Sequence, residues 1–411
     1  MSSATPPTGT GALAKREARL AWTLLAPTII SVSLVVILPL LAIFWISFKP
    51  FTLSDLRPPA PVVRESLRGS GDDLRIEYRL RNSSQEIAIA GVTVRDVLPD
   101  GVTPTGEVAA PCVLDGQALF CDFGTLEGGQ RERIRIPVSV DGDPDAFEEL
   151  VEASEPDVTG SGPSVLTNFE FSLENFARVF DGDEFWGVLW VTLFYTVFGT
   201  IGALVMGLFA ALLLNKSFRG QGFIRGLYLF PYVAPVIAVA FTWVTLFDPF
   251  SGSANALLVQ MGLSSEPINF FGERPLALIM VTVFEIWRYF PLSFLFILAR
   301  MQSIDSSMYE AADMDGASPF QKFWLLSIPQ LLGILSVLFL LRFIWTFNKF
   351  DDIFLLTGGN AGTRTLTVNV YEQAFAVSNI GAGAAVAVVI LLCLIAFSFF
   401  FFKFISREEG L

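Results

Sequence analysis

The chain of 411 residues contains no histidine and only three cysteines. Without an imidazole group it cannot use a histidine base, a histidine-bound zinc or haem, or a Ser-His-Asp triad. Three cysteines are too few for a four-cysteine metal site. A glycine-rich phosphate loop ending in Lys-Ser or Lys-Thr is also missing, so the chain cannot hydrolyse ATP by that route. These absences predict a protein that is not an enzyme and holds no metal.

Charged residues are scarce, at 16% of the chain, while hydrophobic residues reach 53%. A typical soluble domain has about 25% charged residues, so this chain is too apolar to be soluble throughout. Uncharged runs of about 18 residues or more can cross a bilayer as helices. One further run is interrupted only by Glu285 and Arg288, and a membrane helix can contain such residues when they face protein or water. We predict an all-α polytopic membrane protein with six transmembrane helices. The predicted spans are Ala21–Phe48, Phe185–Asn215, Gly226–Phe247, Pro275–Ala299, Phe323–Leu341 and Gln373–Phe402.

The orientation of these spans follows from lysine and arginine, which are concentrated in alternate loops. Because positive residues near span ends stay inside, both termini are predicted to be cytoplasmic. Residues 1–20 then form a cytoplasmic tail and residues 21–48 the first transmembrane helix. That helix is not expected to be a cleaved signal peptide, because its apolar run is too long and no cleavage site with small residues follows it.

The segment between the first two spans, residues 49–180, has the pattern of an extracytoplasmic β domain with linkers. Residues 49–184 contain 26 Asp and Glu against 12 Lys and Arg, an acidity that argues against binding nucleic acid. Apolar and polar residues alternate over residues 74–81 and 134–140, which predicts half-buried strands. With the turn signals between them, they predict an immunoglobulin-like β-sandwich over residues 60–142. Asp141–Pro163 is interpreted as a linker.

Cys112 and Cys121 both lie in this predicted domain. The orientation places them in an oxidising compartment, so a disulfide is expected. The centre of the two positions falls between Gly116 and Gln117, which fits a four-residue loop, Asp115–Ala118, between paired strands. Two free thiols on a hairpin remain the alternative.

Two helix faces within the predicted spans carry charged and aromatic residues. Such groups can bind sugar hydroxyls and the apolar faces of sugar rings, so we expect them to line a path for a solute. Alternatively, Glu285 pairs with Arg288 along one helix, while Arg342 and Lys349 extend to the outer interface. The two faces, each with the spacing i, i+3, i+4, i+7, are Glu285, Arg288, Tyr289 and Leu292, and Arg342, Trp345, Thr346 and Lys349.

The predicted cytoplasmic loop between the fourth and fifth spans reads Tyr-Glu-Ala-Ala-Asp-Met-Asp-Gly-Ala over residues 309–317, followed by Phe320, Phe323 and Ile328-Pro329. It resembles the EAA loop of permease subunits in binding-protein-dependent ABC importers, in the carbohydrate form of the maltose-importer permease. The alanines favour a short helix and the glycine permits a sharp turn. In that family the loop docks on the ATPase subunit. The resemblance implies a coupling loop at residues 301–329, with contacts through Glu310, Ala311, Ala312, Asp315 and Gly316.

The resemblance covers residues 170–405 and includes Phe230-Pro231-Tyr232 and Thr357-Gly358-Gly359. It implies that residues 181–411 form a five-helix permease core, and that Tyr232 joins the two helix faces in contacting the solute. It also implies a bacterial inner membrane location. The implied partners are a second homologous permease, two ATP-binding subunits and an extracytoplasmic sugar-binding protein. ATP and Mg²⁺ would bind those ATP-binding subunits, so this chain needs no cofactor.

The transported solute is expected to be an α-linked disaccharide such as maltose or trehalose. One alternative is an anionic solute such as glycerol phosphate, bound by Arg288, Arg342 and Lys349. Another alternative is a membrane-anchored adhesion or structural protein. An anchor needs only one span, so six predicted spans and a coupling loop weigh against it.

Overall fold

The computed structural model describes residues 12–85, 87–106, 108–140, 144–153, 155–180 and 184–404. The chain divides into two compact units. The smaller unit comprises Trp45–Asn175 and Val377–Gly381 and contains all the described strands. The remainder of the described chain forms the helical unit.

The helices differ widely in length, from single turns to a helix of 31 residues. π-helical turns at Ser33–Ile37, Phe323–Ser327 and Glu372–Ala376 continue neighbouring helices. The helices are α1 (Ala12–Val32), α2 (Leu38–Ser47), α3 (Pro144–Glu152), α4 (Glu174–Phe180), α5 (Glu184–Leu214), α6 (Gln221–Tyr228), α7 (Phe230–Val233), α8 (Val236–Leu246), α9 (Ser253–Gln260), α10 (Leu276–Gln302), α11 (Ser306–Met314), α12 (Pro319–Lys322), α13 (Ile328–Phe347), α14 (Asp351–Thr357), α15 (Leu366–Tyr371) and α16 (Ile380–Phe404).

Among the described residues, five helical stretches are long and apolar enough to cross a membrane: Leu13–Ser47, Glu184–Leu214, Leu276–Gln302, Pro319–Phe347 and Ile380–Lys403. The third predicted span differs, because Gln221–Val233 and Val236–Leu246 are bent by 89°. Pro235 lies at this bend, and its ring supplies no N–H to continue the helix. The six predicted spans therefore correspond to five continuous helices and one bent pair, which makes a sixth span if it is counted as one.

Part of the tail predicted at residues 1–20 is helical, while its cytoplasmic location stays a prediction. Residues 1–11 lie outside the described part of the chain, whereas residues 12–20 form the first turns of α1. The apolar helix is therefore longer at its beginning than the charge-free run from residue 21 indicated, and it includes Lys15, Arg16 and Arg19.

The longest helix, α5, packs against α10 through glycines. A Cβ atom on Gly202 would lie 2.3 Å from Cδ1 of Ile286, and one on Gly207 would lie 2.7 Å from Cβ of Ser293. Both distances are shorter than atoms can approach. Small residues allow close contact between helices in a bilayer, where packing contributes much of the association. The glycines thus bring α5 next to the polar face of α10.

The smaller unit contains two four-stranded sheets with the orders β1-β2-β7-β4 and β5-β6-β3-β8. One buried core includes side chains from both sheets, among them Ile76, Tyr78, Val94 and Cys121. The strands are β1 (Pro61–Arg68), β2 (Arg75–Asn82), β3 (Ile89–Val97), β4 (Val102–Pro104), β5 (Cys112–Asp115), β6 (Ala118–Leu126), β7 (Arg131–Val140) and β8 (Asp157–Ser161).

The predicted two-sheet arrangement is present, but the immunoglobulin-like assignment is not confirmed. In an immunoglobulin domain the first sheet has the strand order ABED, that is first, second, fifth and fourth. Here β7 takes the place between β2 and β4, after a β5–β6 hairpin has joined the other sheet. The interpretation of Asp141–Pro163 as a linker is wrong for its described part, because α3 and β8 lie there and β8 pairs with β3.

The predicted disulfide between Cys112 and Cys121 is confirmed. The two residues are direct cross-strand partners on β5 and β6, with their Cα atoms 4.0 Å apart. Asp115 pairs with Ala118 at the end of the same ladder, so the predicted centre of the turn is right, but the loop has two residues, Gly116 and Gln117, and the expected four-residue loop is wrong. Gly116 has a φ of 62°, a left-handed conformation that glycine adopts without strain.

Buried hydrogen bonds connect the segment where the smaller unit begins with the segment where it ends. The Lys49 ammonium donates hydrogen bonds to the carbonyl oxygens of Asn168 and Glu170 at 2.5 and 2.6 Å. The Asn175 amide donates to the carbonyl oxygens of Ser47 and Lys49 at 3.0 and 2.6 Å. Residues where the unit begins and residues where it ends therefore lie within hydrogen-bonding distance.

Candidate functional site

A buried ion pair joins the two helix faces that the sequence identified. Glu285 Oε1 on α10 accepts hydrogen bonds from the Arg342 guanidinium on α13 at 2.7 Å and from Thr346 Oγ1 at 3.0 Å. The Glu285 and Arg342 side chains are only 1% and 2% exposed. The alternative that Arg342 extends outward is therefore wrong, because its charge is directed inward to Glu285.

Tyr195 on α5 completes this cluster and was missed from the sequence. Its hydroxyl group donates to Glu285 Oε2 at 3.0 Å, so both oxygens of the carboxylate have donors. Gly199 lies one turn further along α5, and a Cβ atom there would lie 2.9 Å from Cγ of Glu285. A tyrosine hydroxyl in an otherwise apolar run was the signal that could have found this residue, because a buried hydroxyl usually has a partner.

Arg288 lies at the bend between α7 and α8. Its guanidinium donates to the carbonyl oxygens of Pro231 at 3.2 Å and Ala234 at 3.1 Å. In a continuous helix the Pro231 carbonyl would accept from the N–H of residue 235, which proline lacks. Arg288 thus supplies the donors that the bend removes, and its burial is compensated.

Tyr289 is the aromatic centre of the cluster. The Lys349 ammonium lies 4.3 Å from the centroid of its ring, and the guanidinium carbons of Arg342 and Arg288 lie at 4.9 and 5.6 Å. Cations at such distances are attracted to the electron-rich face of an aromatic ring. The ring of Tyr232, from α7, lies edge-on to Tyr289 at 6.0 Å.

Asp352, on α14, is a second buried carboxylate that sequence reasoning missed. It is fully buried and lies 3.7 Å from the Lys349 ammonium and 4.0 Å from Nε of Arg288. Burial and the nearby charge of Glu285 raise the pKa of Asp352, whereas Lys349 and Arg288 oppose this shift. Its i, i+3 spacing from Lys349 was the available signal in the sequence.

A cavity of about 120 Å³ opens between α7, α10 and α13. Eight of the nine residues predicted to contact the solute line it, and Arg288 is the exception. Nε of Arg342 has no hydrogen-bond partner among the described residues, so the cavity wall retains a buried donor. The lining residues are Tyr232, Glu285, Tyr289, Leu292, Arg342, Trp345, Thr346 and Lys349.

The predicted coupling loop has the expected helix and turn. α11 begins after Asp305, whose carboxylate accepts from the backbone N–H of Ser307 at 2.9 Å. That hydrogen bond lowers the pKa of Asp305 and caps the helix. Gly316 follows α11 with a φ of 77°, and α12 begins after Ser318 with a capping box. The helix-turn-helix is therefore confirmed.

The residues predicted to contact an ATPase lie on the outside of this loop. Glu310, Ala311, Asp315 and Gly316 are exposed, and Ala312 is half-buried. Met314 and Phe320 are 88% and 71% exposed beside them. Large apolar side chains exposed next to charged ones are typical of a surface that another protein covers. Their coupling role stays a prediction.

Comparison with known proteins agrees with this arrangement. The family described as "Binding-protein-dependent transport system inner membrane component" matches residues 203–408. The chain belongs to this family. It is a multi-pass membrane permease, and the matched region holds all eight cavity-lining residues and the whole of the coupling loop. The resemblance predicted from the EAA loop is confirmed.

Several relatives of this permease have descriptive names. It is 36% identical over 220 residues to the inner membrane ABC transporter permease protein YcjO of Escherichia coli (strain K12), covering 53% of this chain and 74% of that protein. The trehalose/maltose transport system permease protein MalF of Thermococcus litoralis is 34% identical over 209 residues, covering 51% and 70%. The sn-glycerol-3-phosphate transport system permease protein UgpA of Salmonella typhimurium is 31% identical over 216 residues, covering 51% and 71%.

A solved structure shares the permease fold. The crystal structure of a bacterial ABC transporter involved in the import of the acidic polysaccharide alginate aligns with a TM-score of 0.53 and 19% identity. The alignment covers 58% of this chain and 86% of the other. At that identity the likeness concerns the fold of the permease alone.

Proposed function

We propose that this permease is the membrane-spanning subunit of an ATP-driven carbohydrate importer, with an α-linked disaccharide such as maltose or trehalose as solute. The observation that carries the proposal is the cavity lined by Tyr232, Tyr289 and the buried Glu285–Arg342 pair. Aromatic rings offer apolar contact to a sugar ring, and paired charges offer donors and acceptors to hydroxyl groups. The trehalose/maltose permease among its relatives supports the same solute class.

The charges around the cavity favour a neutral solute. Arg342 is compensated by Glu285 at 2.7 Å, and Lys349 lies between Asp351 at 3.5 Å and Asp352 at 3.7 Å. A site for an anion needs cations that are not already neutralised by carboxylates. Hydroxyl groups, in contrast, are both donors and acceptors, and a wall of paired charges satisfies them.

The size of the cavity indicates that it is only part of a site. Pockets that enclose small molecules have volumes of about 300–1,000 Å³, whereas this cavity has about 120 Å³. We infer that a second, homologous permease contributes the facing wall. This explains why Tyr232 and Trp345 are still 41% and 53% exposed in the single chain.

The coupling loop supports the rest of the proposed assembly. Two ATP-binding subunits would bind ATP and Mg²⁺, and one of them would cover Glu310, Met314 and Phe320. An extracytoplasmic sugar-binding protein would deliver the solute. Both termini of this chain would be cytoplasmic in a bacterial inner membrane. The β unit would contact the binding protein. Alternatively, it only stabilises the assembly. Deleting residues 60–160 and measuring the affinity of the complex for the binding protein distinguishes these two roles.

A second candidate is an importer for an anionic solute such as glycerol phosphate. Three cations, Arg288, Arg342 and Lys349, lie within 6 Å of the ring of Tyr289, and UgpA is among the relatives. The buried carboxylates Glu285 and Asp352 count against this candidate, because they would repel an anion.

The test is ATP hydrolysis by the complete complex in lipid with its binding protein. The panel contains maltose, trehalose, sucrose, longer maltodextrins and glycerol phosphate. We expect stimulation by one α-glucoside, and loss of it in Tyr289→Ala. Arg342→Ala, a second change in the cavity wall, should lose stimulation as well. The control is Arg300→Ala, because Arg300 does not line the cavity and its loss should leave stimulation intact. Stimulation by glycerol phosphate alone would favour the second candidate.

A further inference from the structure

The cations around the cavity are not compensated in the same way. Arg342 has a fully hydrogen-bonded partner, since Glu285 accepts from it and also from Thr346 and Tyr195. Within the described parts of the chain, no carboxylate accepts a hydrogen bond from Lys349 in this way. Its compensation consists of two aspartates at 3.5 and 3.7 Å, Asp351 and Asp352.

These two aspartates lie in very different surroundings. The Asp351 side chain is 46% exposed, whereas that of Asp352 is 1% exposed. Water and salt screen an exposed charge strongly and a buried one weakly. The field at the cavity therefore depends on Asp352 far more than on Asp351, although both contact Lys349.

Both oxygens of Asp352 lack hydrogen-bond partners within the described parts of the chain. Among the described residues, Asp352 forms ion pairs with Lys349 at 3.7 Å and Arg288 at 4.0 Å. A buried carboxylate held by hydrogen bonds could serve packing alone, but one that faces only two cations acts through its charge. Of these two cations, Lys349 lines the cavity and Arg288 lies behind it.

We propose that Asp352 determines the charge selectivity of the solute site: when ionised, its carboxylate offsets the positive charge of Lys349 and Arg288, so that the cavity admits neutral solutes and rejects anions. Asp352 is a positioning residue, because it does not line the cavity and acts through Lys349. This inference rests on the proposed solute path and names the residue that sets its specificity.

The test measures binding of radiolabelled sulfate to the complete importer complex in nanodiscs, in the absence of sugar. Sulfate keeps its charge across the pH range used and needs no delivery by a binding protein. The comparison is made at about pH 9, where the wild-type Asp352 carboxyl is charged, and there we expect Asp352→Asn to bind sulfate about tenfold more tightly than the wild type or better. The matched control is Asp351→Asn, the same exchange at the neighbouring contact of Lys349, which should stay within about twofold. Adding Lys349→Met to Asp352→Asn should return binding to the wild-type level.

A second measurement needs no variant and so survives a failure of Asp352→Asn to assemble. Protonation of Asp352 removes the same charge, so wild-type sulfate binding should tighten between about pH 9 and about pH 6. The charged or titratable groups around Asp352 are Glu285, Arg288, Lys349, Asp351, Tyr195 and Tyr289. Asp352→Asn should show no such tightening, which assigns the effect to Asp352 rather than to its neighbours.

Two outcomes would overturn the inference. One is equal sulfate binding by Asp352→Asn and the wild type, and the other is an equal gain in Asp351→Asn. Failure of the proposed function has a different signature, namely no stimulation of wild-type ATP hydrolysis by any neutral sugar. The two failures are therefore measured separately.

Discussion

The buried pair of Glu285 and Arg342 permits a quantitative test of whether it serves the fold, the solute or both. Replacing Arg342 with Met leaves the Glu285 carboxylate buried with only two hydroxyl donors, from Thr346 and Tyr195. Removing one partner of a buried ion pair costs about 3–5 kcal/mol, because the remaining charge stays desolvated. For a unit of this size about 1 kcal/mol shifts the melting temperature by about 2–4 °C. Arg342→Met should therefore lower the apparent melting temperature on the order of 10 °C.

The double variant Glu285→Gln, Arg342→Met separates the two roles. It contains no buried charge at this position, and the glutamine carbonyl can accept from one hydroxyl while its NH2 group donates to the oxygen of the other. Neutral replacements of buried pairs often recover stability, so the double variant should regain at least about half of the loss in the single variant. If the pair also binds solute, the recovered protein stays inactive in uptake.

Both quantities can be measured on the same preparations. Thermal unfolding of the complex is followed by size-exclusion chromatography after heating, and uptake is measured in proteoliposomes. An Arg342→Met protein that melts within about 2 °C of the wild type would refute the reasoning about burial. A double variant with normal stability and normal uptake would show that the pair is purely structural.

Three further predictions concern other parts of the chain. Gly207→Val should destabilise the contact of α5 with α10 by several kcal/mol. The control is Gly187→Val, because a Cβ atom added there meets nothing within 4 Å. We expect only Gly207→Val to lower the melting temperature. Gly316→Pro should uncouple ATP hydrolysis from uptake while the protein still reaches the membrane, and normal uptake would contradict the coupling role. Cys112 and Cys121 should react with a thiol reagent only after reduction, and replacing both with serine should cost about 2–3 kcal/mol of stability in the β unit.

Features that depend on local periodicity could be predicted from the sequence. The spacing of Glu285, Tyr289 and Leu292 placed them on one helix face, and the structure finds them along one cavity. The turn between Cys112 and Cys121 was likewise local, since strand register follows from the loop length.

Features that depend on distant contacts could not be predicted. Arg288 lies one turn from Glu285, which favours a pair along the helix, yet its donors are used by carbonyls 57 and 54 residues away. That geometry arises only because the helix before Pro235 breaks. Strand β8 was missed for a related reason. Its five residues include only two that favour strands, Val158 and Thr159, and the strand is stabilised by its pairing with β3.

The hydrogen bond between Asn175 and Lys49 makes the β unit an insertion whose two ends lie side by side. The residues at which the chain enters and leaves the unit are hydrogen-bonded to each other. The roughly 130 residues between them therefore begin and end at neighbouring points, as in domains inserted into other chains. A short loop could take its place at the same two points, and so could a folded module of another size. The length of chain between these two points can therefore change while the distance between them stays the same.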